Sequence, residues 1–163
     1  MRTLHRSFHP PAGRQRRAFT LLELMIVLAI IVVIAAMVVP NLVGSLQEGN
    51  RQATYATIKS VEKSLGLYAA AHNGTYPDSS QGWQEMIQPQ DYKGKKFTQP
   101  FLEEIPTDAW KNQLQYEWDS KNATHSKKQG AIKPAIWSIG QNEQDEQGAG
   151  DDINNWTPQL PTN

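Results

Sequence analysis

A continuous apolar run near the N-terminus limits what this chain can fold into. Residues 19–39 contain one ionisable side chain, Glu23, and 16 consecutive apolar residues follow it, from Leu24 to Val39. As an α-helix, a segment of this length rises about 31 Å, which matches the roughly 30 Å hydrocarbon core of a bilayer. The run therefore predicts a single membrane-spanning helix.

The charges beside this run predict its orientation. The segment before Phe19 contains five arginines and no acidic residue. Because Lys and Arg beside a spanning helix stay in the cytoplasm, we expect a cytoplasmic N-terminus and residues 40–163 as one domain on the other side. An ordinary secretory signal peptide, cleaved near Ala35 and Ala36, is the alternative. Its apolar region would be longer than the usual range of about 7 to 15 residues and would begin with Glu23.

Glu23 is the residue of the run that most needs an explanation. A charged group at the bilayer centre costs about 2.5 to 3.5 kcal/mol on insertion scales, and less near a helix end. One explanation is a carboxylate that reaches up to the lipid headgroups. The other is a carboxylate kept in place by a functional partner.

The N-terminal segment resembles the signature of type IV pilins and pseudopilins, which is a basic leader, a small residue, F-T-L-L-E and an apolar helix. The resemblance implies that residues 1–18 are a leader, and that a prepilin peptidase cleaves between Ala18 and Phe19 and methylates the new amine of Phe19. It also implies that this amine pairs with Glu23 of an adjacent subunit. Helices in lipid have no hydrophobic drive to associate, so such a pairing selects neighbours. The family usually has Gly where this chain has Ala18.

The composition of the mature chain excludes several classes of function. Removal of the leader leaves 11 basic against 16 acidic residues, a net charge of −5, which argues against nucleic-acid binding. The chain has no cysteine, so an exported domain must be held together by packing or by a metal. A membrane-anchored enzyme is a further alternative, but the sequence contains no nucleophile with a base in a motif context and no zinc ligand set.

The remaining sequence predicts an α+β, pilin-like fold in which one long helix packs on a small antiparallel sheet. Apolar residues recur at spacings of 3 and 4 after Pro40, which predicts that the helix resumes as an amphipathic half and ends at Asn73-Gly74. The positions on that face are Ile58, Val61, Leu65, Tyr68 and His72. We expect His72, alone at a helix end, to be partly buried and hydrogen-bonded rather than a ligand.

A short helix and three strands are predicted beyond this point. The helix covers 83–87, with Trp83, Met86 and Ile87 facing inward and Ser79 or Ser80 as its N-cap. Apolar and polar residues alternate over 113–118, which is typical of a half-buried strand. The other expected strands cover 135–139 and 153–156. Together they would cover the apolar face of the long helix.

An acidic loop, residues 140–152, lies between the second and third predicted strands. Its acidic residues are Glu143, Asp145, Glu146, Asp151 and Asp152. Oxygen ligands on a flexible loop suit Ca²⁺, which takes about 6 to 8 of them. A solvated acidic loop without a metal is the alternative, and the spacing of an EF-hand is absent.

Three patches resemble one branch of the family, the major pseudopilin of type II secretion. They are YPDSSQGWQEMI, IPTDAW, and WSIG followed by GDDINNW. In the second patch the family usually continues as D-P-W-G, where this chain has Ala109, Trp110 and Lys111 after Asp108.

The resemblance to this branch implies a structural subunit of a periplasmic pseudopilus at the bacterial inner membrane. The expected partners are further copies of the chain, the inner-membrane assembly platform and minor pseudopilins. A type IV pilus subunit for adhesion, motility or DNA uptake is the alternative. The missing cysteines and the acidic loop argue against that alternative.

The resemblance also implies a calcium site in the acidic loop, formed by an early Asp, a pair of Asp residues and backbone carbonyls. Asp151 and Asp152 match the pair. Alignment from Ser138 places the early Asp at Asn142, and Asp145 is the substitute because the loop is longer by about two residues. The expected metal-binding residues are therefore Ser138, Asn142, Asp145, Asp151 and Asp152.

Overall fold

The computed structural model of the chain describes residues 19–157. The leader, residues 1–18, lies outside the described residues, and Ala18 lies there with it. The described residues form two helices and three strands: α1 Leu21–Ala71, α2 Gly82–Ile87, β1 Gln115–Glu117, β2 Ala135–Ser138 and β3 Ile153–Asn154. The long helix followed by a small antiparallel sheet confirms the predicted α+β fold.

Helix α1 begins with a side-chain cap. Thr20 precedes the helix, and its Oγ1 accepts a hydrogen bond from the backbone N–H of Glu23 at 3.2 Å. A Thr followed three residues later by Glu is the spacing of a capping box. The helix continues through Pro40, which has no N–H to donate. Beside the proline, the side-chain amide of Asn41 donates to the carbonyl of Met37 at 3.1 Å.

The described chain divides into two compact units between Leu42 and Val43. In residues 19–42 the large apolar side chains are between 47% exposed, at Val27, and 83% exposed, at Phe19. This part of α1 is long and apolar enough to cross a membrane. None of the large apolar side chains of this segment is therefore buried within the described chain.

The second unit, of which residues 43–157 are described and which we call the head, contains its own hydrophobic core. Its buried residues are Ile58, Val61, Leu65 and Tyr68 of α1, Trp83 and Met86 of α2, and Leu114, Ile136 and Ile153. Full burial of a large apolar side chain stabilises a fold by about 1.5 to 3 kcal/mol. The core confirms the apolar face that the helical spacing predicts.

The sheet has the order β1-β2-β3, and both strand pairs are antiparallel. Its strands are shorter than the predicted ranges. Gln113 pairs with Thr107 rather than with β2, and the backbone N–H of Trp118 donates to Ser79 Oγ at 2.6 Å. Beyond β3, the backbone N–H of Trp156 donates to the Asn154 side chain at 3.2 Å. These residues therefore do not extend the strand pairs, and the predicted ends at 113, 118, 139 and 156 are wrong.

Helix α2 differs from its prediction in its cap and in one buried residue. Gln81 precedes the helix and makes no side-chain cap. Neither expected N-cap residue caps the helix, because Ser79 bonds the backbone of Trp118 and Ser80 bonds Asp78. Trp83 and Met86 are buried as predicted, but Glu85 is buried where Ile87 was expected.

Candidate functional site

The acidic loop is positioned by the strands on either side of it. It begins after the last residue of β2, Ser138, and ends before β3. Ser138 Oγ donates to the buried carboxylate of Asp108 at 2.7 Å and accepts the backbone N–H of Gly140 at 3.1 Å. The Ser138 hydroxyl therefore ties the start of the loop to the interior of the head.

Three carboxylates converge at the far end of this loop. One oxygen from each of Glu146, Asp151 and Asp152 lies within 4.8 Å of the others. Backbone N–H groups hold them: Gln141 donates to Asp151 Oδ2 at 2.8 Å, and Gly148 donates to Asp152 Oδ2 at 2.7 Å. The Oδ1 atoms of both aspartates are buried and have no hydrogen-bond partner among the described residues. The loop therefore presents two buried acceptors without a donor.

Burial and like charge make this cluster electrostatically unfavourable. Burial, together with the charges of Asp145 and Glu146, raises the pKa of Asp152 to about 6, against the opposing hydrogen bond from Gly148. Carboxylates this close repel one another unless a cation offsets their charge.

The donor atoms of the cluster fit a hard cation. They are all oxygens, and Ca²⁺ takes oxygen ligands at about 2.3 to 2.6 Å in irregular geometry, whereas soft metals prefer sulfur. Glycine permits the close approach: a Cβ at Gly140 would lie 2.6 Å from Asp151 Oδ2, and a Cβ at Gly150 would overlap the Glu146 carboxylate. Both glycines have positive φ, which favours glycine as well.

The structure brings together two of the five residues expected to bind a metal, Asp151 and Asp152. Asn142 Oδ1 instead accepts the backbone N–H of Gln144 at 2.7 Å. Asp145 Oδ1 accepts the indole N–H of Trp137 at 2.8 Å. The third carboxylate of the cluster is Glu146, which the sequence analysis did not single out as a ligand.

Phe19 and Glu23, the residues expected to act in assembly, lie one helical turn apart at the start of the described chain. Both side chains are exposed, and among the described residues Glu23 forms no ion pair. Its backbone is fixed by the Thr20 cap. The carboxylate is therefore presented outward from the first turn of the helix.

Comparisons with known proteins match both halves of the chain. The family described as "Type II secretion system (T2SS), protein G" matches residues 41–156, and the prokaryotic N-terminal methylation motif matches residues 13–39. The chain is 29% identical to the type II secretion system core protein G of Vibrio cholerae serotype O1, over 90% of this chain and 95% of that protein. It is 31% identical to the same-named protein of Pectobacterium carotovorum subsp. carotovorum, over 89% and 87% of the two chains.

A solved structure confirms the fold. The crystal structure of the major pseudopilin from the type 2 secretion system of enterohaemorrhagic Escherichia coli matches with a TM-score of 0.54 and 24% sequence identity. The match covers 73% of this chain and 96% of that chain.

Proposed function

This chain belongs to the type II secretion system protein G family, and we propose that its mature form polymerises through residues 19–39 into a filament that drives protein export across the outer membrane. It is a structural pseudopilus subunit. The type IV pilus alternative is not favoured, because the family match and the curated relatives are secretion proteins. The family is a structural one, and we propose no enzymatic activity.

One observation carries the assembly proposal. Residues 19–42 leave their apolar side chains exposed, and the only acid among residues 19–39, Glu23, forms no ion pair among the described residues. Lipid and neighbouring helices would cover the apolar surface. The amine released at Phe19 would supply the cation for Glu23 of the next subunit, since a carboxylate in hydrocarbon needs a partner.

The match to the N-terminal methylation motif supports processing and anchoring. In this proposal a prepilin peptidase cleaves between Ala18 and Phe19 and methylates Phe19. The apolar helix then crosses the inner membrane once, with the N-terminus in the cytoplasm and the head in the periplasm. The inner-membrane assembly platform and minor pseudopilins are the partners we propose for filament growth.

Glu23→Gln tests the assembly proposal. We expect the variant to be processed, to keep the thermal unfolding of the head unchanged, and to form no filaments by electron microscopy. Glu103→Gln is the matched control, because Glu103 is exposed in the head. Mass analysis of the membrane-extracted chain should show a methylated Phe19 as first residue. Normal filaments from Glu23→Gln, or a retained leader, would contradict the proposal.

We also propose that the acidic loop binds Ca²⁺ as a structural ion. Glu146, Asp151 and Asp152 would hold it, and the ion would supply the positive charge that the cluster lacks. The support is the pair of buried Asp oxygens without hydrogen-bond partners and the convergence of three carboxylates.

Calcium removal tests this second proposal and identifies the third carboxylate. In the full chain in detergent, Ca²⁺ at 100 times its Kd should stabilise the head by about 2.7 kcal/mol, and a chelator should remove this effect. Glu146→Gln should weaken the calcium dependence by about tenfold or more, while Asp145→Asn should weaken it less, because Asp145 bonds Trp137. A melting temperature that is unchanged by chelator would indicate a solvated loop without a metal.

A further inference from the structure

A second cluster of polar groups lines a cavity of about 230 Å³ near the C-terminal end of α1. Its walls include three tyrosines, three carboxylates and one histidine. These residues are Tyr68, His72, Tyr76, Asp78, Glu85, Asp91 and Tyr92. Among the described residues that line it, none is a lysine or an arginine. The cavity is separate from the acidic loop, which contributes no residue to its walls.

Glu85 is a buried carboxylate without a cation. It is 9% exposed, and its Oε1 accepts hydrogen bonds from the Tyr68 hydroxyl at 3.4 Å and from the backbone N–H of Gln90 at 3.2 Å. Among the described residues it forms no ion pair. Burial and the charge of Glu85 raise the pKa of Tyr68 to about 12. A buried carboxylate without a counter-charge is costly, so a cation that reached Glu85 would be stabilised there.

His72 adds an acceptor to the same cavity. Its side chain is 3% exposed, and its ring stacks on Tyr68 with centroids 3.8 Å apart. Nδ1 lies 2.8 Å from the Tyr68 carbonyl, which can only accept, so the hydrogen bond assigns the proton to Nδ1. Nε2 of the neutral ring is then an acceptor, and it is buried with no partner among the described residues.

The chemistry of these walls selects a cation that carries N–H donors. Carboxylate and imidazole acceptors bind an ammonium group through charge-assisted hydrogen bonds. Tyrosine faces attract a cation through their π systems. An anion would meet the like charge of the carboxylates in these walls.

We propose that this cavity binds the side-chain ammonium group of a lysine from a second copy of the chain. The inference rests on the proposed assembly into a filament. Several lysines of the head are exposed and form no ion pair among the described residues: Lys63, Lys93, Lys95, Lys96, Lys111, Lys121 and Lys128. Of these, Lys93 lies 5.2 Å from the Tyr92 ring of its own chain but does not line the cavity. The chain thus carries both the cationic groups and a site without one.

The first experiment tests the cavity on unassembled chains in detergent, with n-butylammonium as the probe and n-butanol as its neutral control. Imidazole ¹H–¹⁵N correlation spectra should show a saturable shift at His72 with n-butylammonium alone, while His125 serves as a reference. Glu85→Gln, which keeps an acceptor oxygen, should weaken the response at least tenfold, and Glu103→Gln should not change it. No shift at His72, or an equal shift with n-butanol, would overturn the inference.

The second experiment tests the source of the lysine in assembled filaments. Filaments grown from equal amounts of ¹⁴N- and ¹⁵N-labelled chains are treated with a carbodiimide, which joins carboxylates to lysines in contact. We expect Glu85 crosslinked to a lysine in peptide pairs of mixed isotope. Crosslinks of Glu85 only within one chain, or none, would overturn the inference and leave the proposed function standing. Failure of the unmodified chain to form filaments would overturn both.

Discussion

The N-terminal segment and the head differ in the burial of their apolar side chains and in the pairing of their charges. In residues 19–42 the large apolar side chains are exposed, and Glu23 forms no ion pair among the described residues. In the head a cluster of apolar residues forms a buried core, and Glu62 is paired with both Lys59 and Lys133. The head can therefore be stable within one chain, whereas the segment depends on lipid and neighbouring subunits.

The hydrogen bonds and ion pairs of the head stabilise the charged form of two of its carboxylates. Burial alone would raise the pKa of Glu62, but hydrogen bonds from Lys133 and Lys59 outweigh it and hold that pKa below its ordinary value. Glu117 follows the same pattern with Ser126 and Lys127. Donors of the head itself thus satisfy Glu62 and Glu117, whereas among the described residues Glu85 and the acidic cluster have no ion pair.

The largest expected effect on stability comes from a Leu→Ala substitution, which can be made in the head and, as a control, in the N-terminal segment. Leu65→Ala removes a side chain that is 1% exposed in the core, and we expect it to lower the free energy of unfolding of the head by about 2 to 5 kcal/mol. Leu28→Ala is its matched control, because Leu28 is 53% exposed in the N-terminal segment. Thermal and denaturant unfolding in detergent would measure both. A comparable loss of unfolding free energy from Leu28→Ala would contradict the difference between the two regions.

A smaller effect should come from a strained residue within the head. Lys111 has a φ of 78°, a conformation that costs most residues about 1 to 2 kcal/mol and glycine little. Lys111→Gly should therefore raise the stability of the head, by about 1 kcal/mol or less. Lys121→Gly, at a turn without positive φ, should lower it slightly. If both variants lose stability, the backbone at residue 111 is not strained.

The smallest effect concerns pH and the carboxylate of Asp78, which is partly exposed. Hydrogen bonds from Ser80 and then from Ser120 hold its pKa at about 2, below the ordinary 3.8. Because the folded chain binds this proton less tightly, the contribution to stability is full above about pH 4 and is lost as the pH falls through about 2. Asp78→Asn should flatten this part of the stability curve. If the stability of the wild-type chain and that of Asp78→Asn depend on acid pH in the same way, Asp78 contributes nothing to the pH dependence of stability.

Long, periodic features of this fold were predictable from sequence. The apolar run and the spacing of Ile58, Val61 and Leu65 repeat over many turns, so the helix and its buried face follow from them. Strand ends did not follow, because hydrogen bonds such as that from Trp118 to Ser79 depend on residues far apart in the chain. The Thr20-Glu23 cap, in contrast, depends only on local sequence, since a Thr three residues before a Glu indicates it.

The acidic loop was predictable as a region and not as a set of contacts. Asp145 and Glu146 are adjacent and chemically alike, so composition cannot separate them. In the structure the Trp137 indole engages Asp145, while Glu146 accepts the backbone N–H of Asp151 at 3.1 Å. Cleavage at Ala18 and the pairing of Phe19 with Glu23 stay predictions.

Two of the five tryptophans make direct contact with the acidic loop, Trp137 through its bond to Asp145 and Trp156 through its ring beside Gly148. Indole emission depends on hydrogen bonding and on nearby charge. The protein thus contains its own fluorescent reporter at this loop, which makes any rearrangement there visible in the unlabelled wild-type chain.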